Sequence, residues 1–389
     1  MRKLQMMVAT VLPLVWAVGL GAQDQPAADL FAQGRFAEAA QAYEAAIARA
    51  PTDAAALAGL ARLRLYQGRE ADALDLARKA LAAAPGSPVA TAVVATAEAR
   101  EAAVNAYQVE GAGGTVTIPF VMTDPLPVVQ VTVAGRPANL LLDTGGPGIT
   151  LRQPFAQALG LTVTAAGEGV FAGGRRAPVQ QTTIPNLTVG PLRMSDVPAG
   201  VLAGEGLRLP GVEIDGVIGT GFLMHFLATI DYCRGALILA PRASSAMFEA
   251  RAKTNGANVV PLWLVGDHFL FARGRVNQGP EMLFSIDTGL AGGGLAATKE
   301  TLDAAGVTLD ESHAATGMGG GGAVQVVPFA ADATLGSLTR QAVRGFYSPQ
   351  GNPYAIFPFK VAGALSHGFF RQSRLTFDFA AMKLVTEGC

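Results

Sequence analysis

Leu140-Leu141-Leu142-Asp143-Thr144-Gly145 and Phe284-Ser285-Ile286-Asp287-Thr288-Gly289 are two copies of one pattern, an apolar strand that ends in Asp-Thr-Gly. The two aspartates stand 144 residues apart. In the first copy an apolar stretch at 128–133 leads in through Ala134-Gly135-Arg136-Pro137. In the second, residues 269–276 lead in through Asn277-Gln278-Gly279-Pro280. Alternating apolar runs separated by turn residues read as paired strands. A matched block follows each copy. Gly216-Val217-Ile218-Gly219, Phe222-Leu223 and Thr229-Ile230-Asp231-Tyr232 answer to Gly363-Ala364-Leu365-Ser366, Phe369-Phe370 and Thr376-Phe377-Asp378-Phe379, 147 residues later. The region is therefore duplicated, and each lobe carries an aspartate at the tip of a strand.

Working outward, residues 116–121 and 138–142 also read as strands, and a helix is expected over 152–158, stopped by Gly160. Upstream the texture changes. Gly34, Ala40 and Pro51 recur as Gly68, Leu74 and Pro85, each offset by 34 residues. Leu57, Leu60, Ala61 and Leu65, and then Leu74, Ala77 and Leu81, keep the helical period. A helix near 88–104 is expected to cap this unit. A 34-residue period with Gly-Arg-x-x-x-Ala and a closing Pro resembles the tetratricopeptide repeat, a pair of antiparallel helices. Two repeats alone are marginal, so they are expected to lean on the next domain. Their function reads equally as a protein-docking surface or as a spacer.

The first residues carry the three parts of a secretion signal: Arg2 and Lys3, an apolar run to Leu20, and the small residues Gly21 and Ala22 before Gln23. The run is short for a membrane span. A cleaved signal implies an exported bacterial protein, periplasmic or secreted, with no membrane span left after cleavage. The expected organisation is a signal at 1–22, helical repeats at 26–110, lobe one at 115–245 and lobe two at 255–389.

Composition narrows the function. A net charge of −1 without a basic stretch argues against nucleic acid. Four scattered histidines and two cysteines show no metal-ligand spacing, so neither metal nor cofactor is expected. In an exported protein Cys233 and Cys389 can pair or stand as two thiols, and the sequence leaves both open. The glycine run at 319–322 is not a phosphate loop, because no Gly-Lys-Ser/Thr follows it.

Over about residues 115–387 the duplicated motif resembles the aspartic proteases of the pepsin and retropepsin kind. That resemblance implies α-helical hairpin repeats followed by a two-lobed, mostly β protease fold. It implies Asp143 and Asp287 as paired catalytic carboxylates, sharing one proton and activating a water against a peptide or protein substrate. It implies that Thr144 and Thr288 bond across the pseudo-twofold axis, while Gly145 and Gly289 turn the backbone so that its N–H groups meet the carboxylates. Flaps are expected at 169–176, with Phe171, Gly173 and Gly174, and at 317–322, with Met318 and Gly319. The chain departs from the pattern at Gly146 and Leu290, where a small hydroxyl residue would support the outer carboxylate oxygen. It departs again at Ser366, which stands where lobe one has Gly219. Two readings follow: an aspartic endopeptidase, or a protease-like module that binds peptides and recruits a partner through its repeats.

Overall fold

The computed structural model describes residues 25–389 except 112, 172–174, 204–207, 210 and 320–321. The expected signal at 1–22 lies outside the described residues.

Among the described residues five helices come first: α1 (Gln25–Ala32), α2 (Phe36–Arg49), α3 (Ala54–Tyr66), α4 (Glu70–Ala83) and α5 (Pro88–Val104). Asp53 and Ser87 cap α3 and α5 by accepting backbone N–H groups, and Pro88 sits in the first turn of α5. Gly34 and Gly68 end α1 and α3 with φ of 72° and 66°, a left-handed exit that glycine makes without steric cost. A Cβ on Gly34 would lie 3.0 Å from the Lys360 carbonyl oxygen, and one on Gly68 would lie 2.9 Å from Met382 Cγ. The repeated glycines therefore also seat the helices against the β region.

This docking closes a shared core. Phe31, Phe36 and Tyr66 of the helices are buried together with Trp263, Phe271, Leu283 and Phe359 of the β region. Phe36 meets Phe359 edge-on at 4.9 Å and Trp263 at 5.2 Å. Arg100 of α5 is buried and donates to the carbonyls of Leu65, Leu264 and Gly266 at 2.7–2.8 Å. A buried guanidinium is tolerable only with its donors engaged in this way. The two repeats do lean on their neighbour.

In the β region both lobes build the same knot. In lobe one the strand Arg136–Leu142 pairs in parallel with Gly216–Ile218, which pairs antiparallel with Ile149–Arg152. In lobe two Met282–Ile286 pairs in parallel with Gly363–Leu365, which pairs antiparallel with Leu295–Ala297. The turn leading into the lobe-one strand is tighter than the sequence suggests. Ala134 and Gly135 both take positive φ, a two-residue hairpin turn, so Arg136 and Pro137 already belong to the strand. The helix that follows starts one residue late, at Gln153–Ala158.

The lobes join through one sheet. Phe226–Asp231 of lobe one pairs antiparallel with Ser373–Asp378 of lobe two, with Thr229 opposite Thr376 and their hydroxyls 2.7 Å apart. The duplicated aspartates at the ends of these strands are structural. Asp231 accepts the N–H of Arg234, and Asp378 accepts those of Ala380 and Ala381, each closing the turn that follows its strand. Cys233 and Cys389, just beyond paired strand ends, form a disulfide.

Candidate active site

Each Asp-Thr-Gly loop leaves its strand at the knot. Asp143 N donates to the Ile218 carbonyl at 3.0 Å, and Asp287 N donates to that of Leu365 at 3.1 Å. The parallel strand thus holds each loop from behind. The threonines then lock the loops to each other. Thr144 Oγ1 donates to the Ile286 carbonyl (2.8 Å) and accepts Thr288 N–H (3.1 Å). Thr288 Oγ1 donates to the Leu142 carbonyl (3.0 Å) and accepts Thr144 N–H (3.1 Å). Both threonines are buried, so these four bonds form away from competing water.

The carboxylates face each other across this lock. Gly145 N donates to Asp143 Oδ1 at 2.8 Å, and Gly289 N donates to Asp287 Oδ1 at 2.9 Å. A Cβ on Gly289 would lie 2.2 Å from Asp143 Cγ, and one on Gly145 would lie 2.7 Å from Asp287 Cγ. Each carboxyl group therefore packs over the glycine of the opposite lobe, which no larger residue permits. Burial and then the neighbouring Asp287 charge push the Asp143 carboxyl well above the ordinary range, and a hydrogen bond between the two side chains adds to this. Two acids in this arrangement hold one proton between them.

The flap residues take mixed positions. Phe171 ends the strand Thr164–Phe171, pairs with Arg175 across a hairpin, and folds its ring back over Gly169. Gly173 and Gly174 lie outside the described residues. In lobe two Met318 and Gly319 belong to the strand Ala315–Gly319, which forms a hairpin with Gly322–Leu335 through the Gly319–Gly322 pair.

The departures have structural accounts. A Cβ on Gly219 would lie 2.3 Å from the Gly146 carbonyl oxygen, so lobe one admits only glycine there. Lobe two admits Ser366 because its hydroxyl accepts Leu290 N–H at 3.1 Å, and the side chain is fully buried in that role. No hydroxyl reaches either carboxylate among the described residues.

Two contributors were missed by sequence reasoning. Thr220 Oγ1 donates to the Thr144 carbonyl at 2.9 Å, bracing the first loop from beneath. Its place directly after Gly219 is the signal that could have found it. Lobe two has His367 at the matching place, and His367 instead hydrogen-bonds Asp124 of lobe one through Nε2 at 2.8 Å.

Fold and site together define a two-lobed aspartic-dyad architecture behind helical repeats. Comparison with known proteins agrees with both parts. Residues 129–222 match the aspartyl protease family model, and residues 30–97 match a tetratricopeptide repeat model. The chain thus joins an N-terminal segment that matches tetratricopeptide repeats to a segment that matches the aspartyl protease family. No curated protein matches it. A retropepsin-like aspartic protease from Rickettsia conorii, known from its crystal structure, is 22% identical, with 34% of this chain and 90% of that one covered and a TM-score of 0.23.

Proposed function

We propose that the protein is an exported aspartic-type endopeptidase, with Asp143 and Asp287 as its catalytic pair. One observation carries the reading: two carboxylates from equivalent strand tips, held face to face by a buried four-bond lock, with Asp143 pushed toward its protonated form. The ionised carboxylate takes a proton from a water between them, and the water oxygen attacks the scissile carbonyl carbon. The protonated carboxyl donates to the carbonyl oxygen as charge develops there. Breakdown returns a proton to the leaving amine and regenerates the shared-proton pair. The amides of Gly145 and Gly289 keep each inner oxygen oriented throughout. The hairpins at Phe171 and at Met318–Gly319 are suited to close over an extended peptide and exclude water.

The Cys233–Cys389 disulfide and the signal-like N-terminus both support export, since disulfides persist in oxidising compartments. Fractionation of expressing cells, with N-terminal sequencing of the mature chain, tests that part. For the chemistry, the protein is profiled on a peptide library with and without a statine-type inhibitor, which mimics the tetrahedral intermediate. Cleavage by the wild type that is lost in Asp143→Asn and in Asp287→Asn is the expected result. Undiminished cleavage by either variant would overturn the reading.

A second reading rests on Gly146 and Leu290, which offer no hydroxyl to the outer carboxylate oxygens. A protease-like module that binds peptides without cutting them would retain the inhibitor while leaving the library intact.

A further inference from the structure

In lobe two the tripeptide Ser366-His367-Gly368 grips the loop that follows Asp287-Thr288-Gly289 at three points. Ser366 Oγ accepts Leu290 N–H at 3.1 Å, Ser366 N donates to the Gly294 carbonyl at 2.9 Å, and Gly368 N donates to that of Gly293 at 3.0 Å. The fit leaves no slack on either side. A Cβ on Gly294 would lie 2.4 Å from Phe369 N, and one on Gly368 would lie 2.8 Å from the Gly293 carbonyl carbon. Wherever the tripeptide sits, residues 290–294 sit with it. His367 is its middle residue and opens the short helix His367–Phe370. Its side chain is buried with the Tyr232 ring edge-on at 5.2 Å, and Nε2 donates to Asp124 Oδ1 of lobe one at 2.8 Å.

Asp124 stands in the turn between the strands Val116–Met122 and Val128–Val133, and the same turn supports the dyad loop of lobe one. The Pro127 carbonyl accepts Leu142 N–H at 2.9 Å, one residue before Asp143. Leu126 is buried with Val128 and Leu141, and Ala291 of lobe two packs against that cluster. The supports of the two loops therefore meet at one side-chain bond, His367 to Asp124, and touch again at Ala291. Lobe one uses the matching place differently, since Thr220 donates to the Thr144 carbonyl of its own loop. Lobe two directs that side chain to the other lobe. A hydrogen bond that ends on a carboxylate is stronger than one between neutral groups.

We propose, resting on the peptidase reading, that His367 is a positioning residue: its bond to Asp124 fixes the tripeptide against lobe one and so sets how Asp287 meets Asp143. The threonine lock joins the two loops where they cross, and the His367–Asp124 tie joins the supports behind them. Each support is held to its own loop by main-chain hydrogen bonds, so a shift between the supports is passed on to the carboxylates. For a reacting pair a displacement on the order of 1 Å is enough to matter.

The test uses the full chain and a reporter peptide from the cleavage profile, with active molecules counted by titration with the statine-type inhibitor. Cleavage by the wild type and silence of Asp287→Asn establish the underlying reading on their own. The Asp124 side chain is 65% exposed, so Asp124→Ala breaks the tie without opening a cavity. It is expected to lower kcat per titrated site about tenfold while KM stays within about twofold, as when an interaction made only in the transition state is lost. His367→Ala is expected to match that loss. His367→Gln, which keeps an N–H donor near the place of Nε2, is expected to recover most of it. The double variant Asp124→Ala with His367→Ala is expected to lose no more than either single one, since both break the same bond. A wild-type kcat in Asp124→Ala would discard the positioning role with the peptidase reading intact. So would a His367→Gln as slow as His367→Ala, or losses that multiply in the double variant. A wild type that cleaves nothing would remove both.

Discussion

Asp143 lies over Gly289, and Asp287 lies over Gly145, so the smallest side chain in the site governs where the largest charges sit. An added methyl at Gly289 would have to push the Asp143 carboxyl aside, because the built Cβ lies 2.2 Å from its Cγ. Misplacing a catalytic group by about 1 Å can cost on the order of 100-fold in rate. Gly289→Ala is accordingly expected to lower kcat by roughly that factor, measured on the same reporter peptide. Charge gives a second residue-level prediction. The Asp143 carboxyl is raised in the fold above its ordinary value of 3.8, first by burial and then by Asp287. A raised pKa means that the fold prefers the protonated acid. That contribution is fully present below about pH 3.8 and is lost as pH rises through the folded value. Asparagine never ionises, so Asp143→Asn should melt higher than the wild type at pH 7, with the gap closing toward pH 3. Calorimetry across that range checks it, and a gap independent of pH would contradict the assignment.

At the scale of elements, the lock between the two loops joins strands that lie in different lobes. Thr144→Val keeps the shape but leaves Thr288 N–H and the Ile286 carbonyl without their partner. Burying such groups unpaired costs about 1–3 kcal/mol each, so the urea midpoint should fall markedly while Thr132→Val, on a half-buried strand position, changes it little. The elements also show what a sequence can convey. The strands at 128–133 and 269–276 and the helix at 88–104 coincide with the observed Val128–Val133, Phe269–Val276 and Pro88–Val104, because turn residues bound the strands and Ser87-Pro88 opens the helix. The dyad loops were legible because they are duplicated. Thr220 was not, nor was the bond that Ser366 makes, since each reaches a partner 76 positions away in sequence, and no local pattern encodes such a meeting. The cysteines were ambiguous for the same reason. Only the pairing of Asp231 with Arg374, and of Ser373 with Gly388, brings the ends of two strands together so that Cys233 and Cys389 meet.

Over the whole molecule two devices hold the parts in register, the disulfide and the helical brace. The disulfide spans 156 positions and ties the close of lobe one to the last residue of lobe two. A loop of that size restricts the unfolded chain by about 5 kcal/mol in the chain-entropy view, so Cys389→Ser should shift the urea midpoint by up to that equivalent. The brace acts differently, through the native state. Phe31, Phe36 and Tyr66 cover Trp263, Phe271 and Phe359, so the helical face bearing those rings is committed to lobe two. A protein partner of the repeats must therefore use another face. It follows that the helices cannot be removed as a separable arm. A chain beginning at residue 105 would expose that aromatic surface and strip Leu264 and Gly266 of the Arg100 guanidinium. Emptying a single buried phenylalanine site costs about 3–5 kcal/mol, and here three aromatic residues leave at once. The truncated chain is expected to bind a hydrophobic dye strongly and to lose its cooperative melt, whereas the full chain melts cooperatively and binds none. A truncated chain that stays monomeric and melts with the same midpoint would show that the lobes are stable without the helices, and the shared core would then have to be read as a mere contact between independent domains.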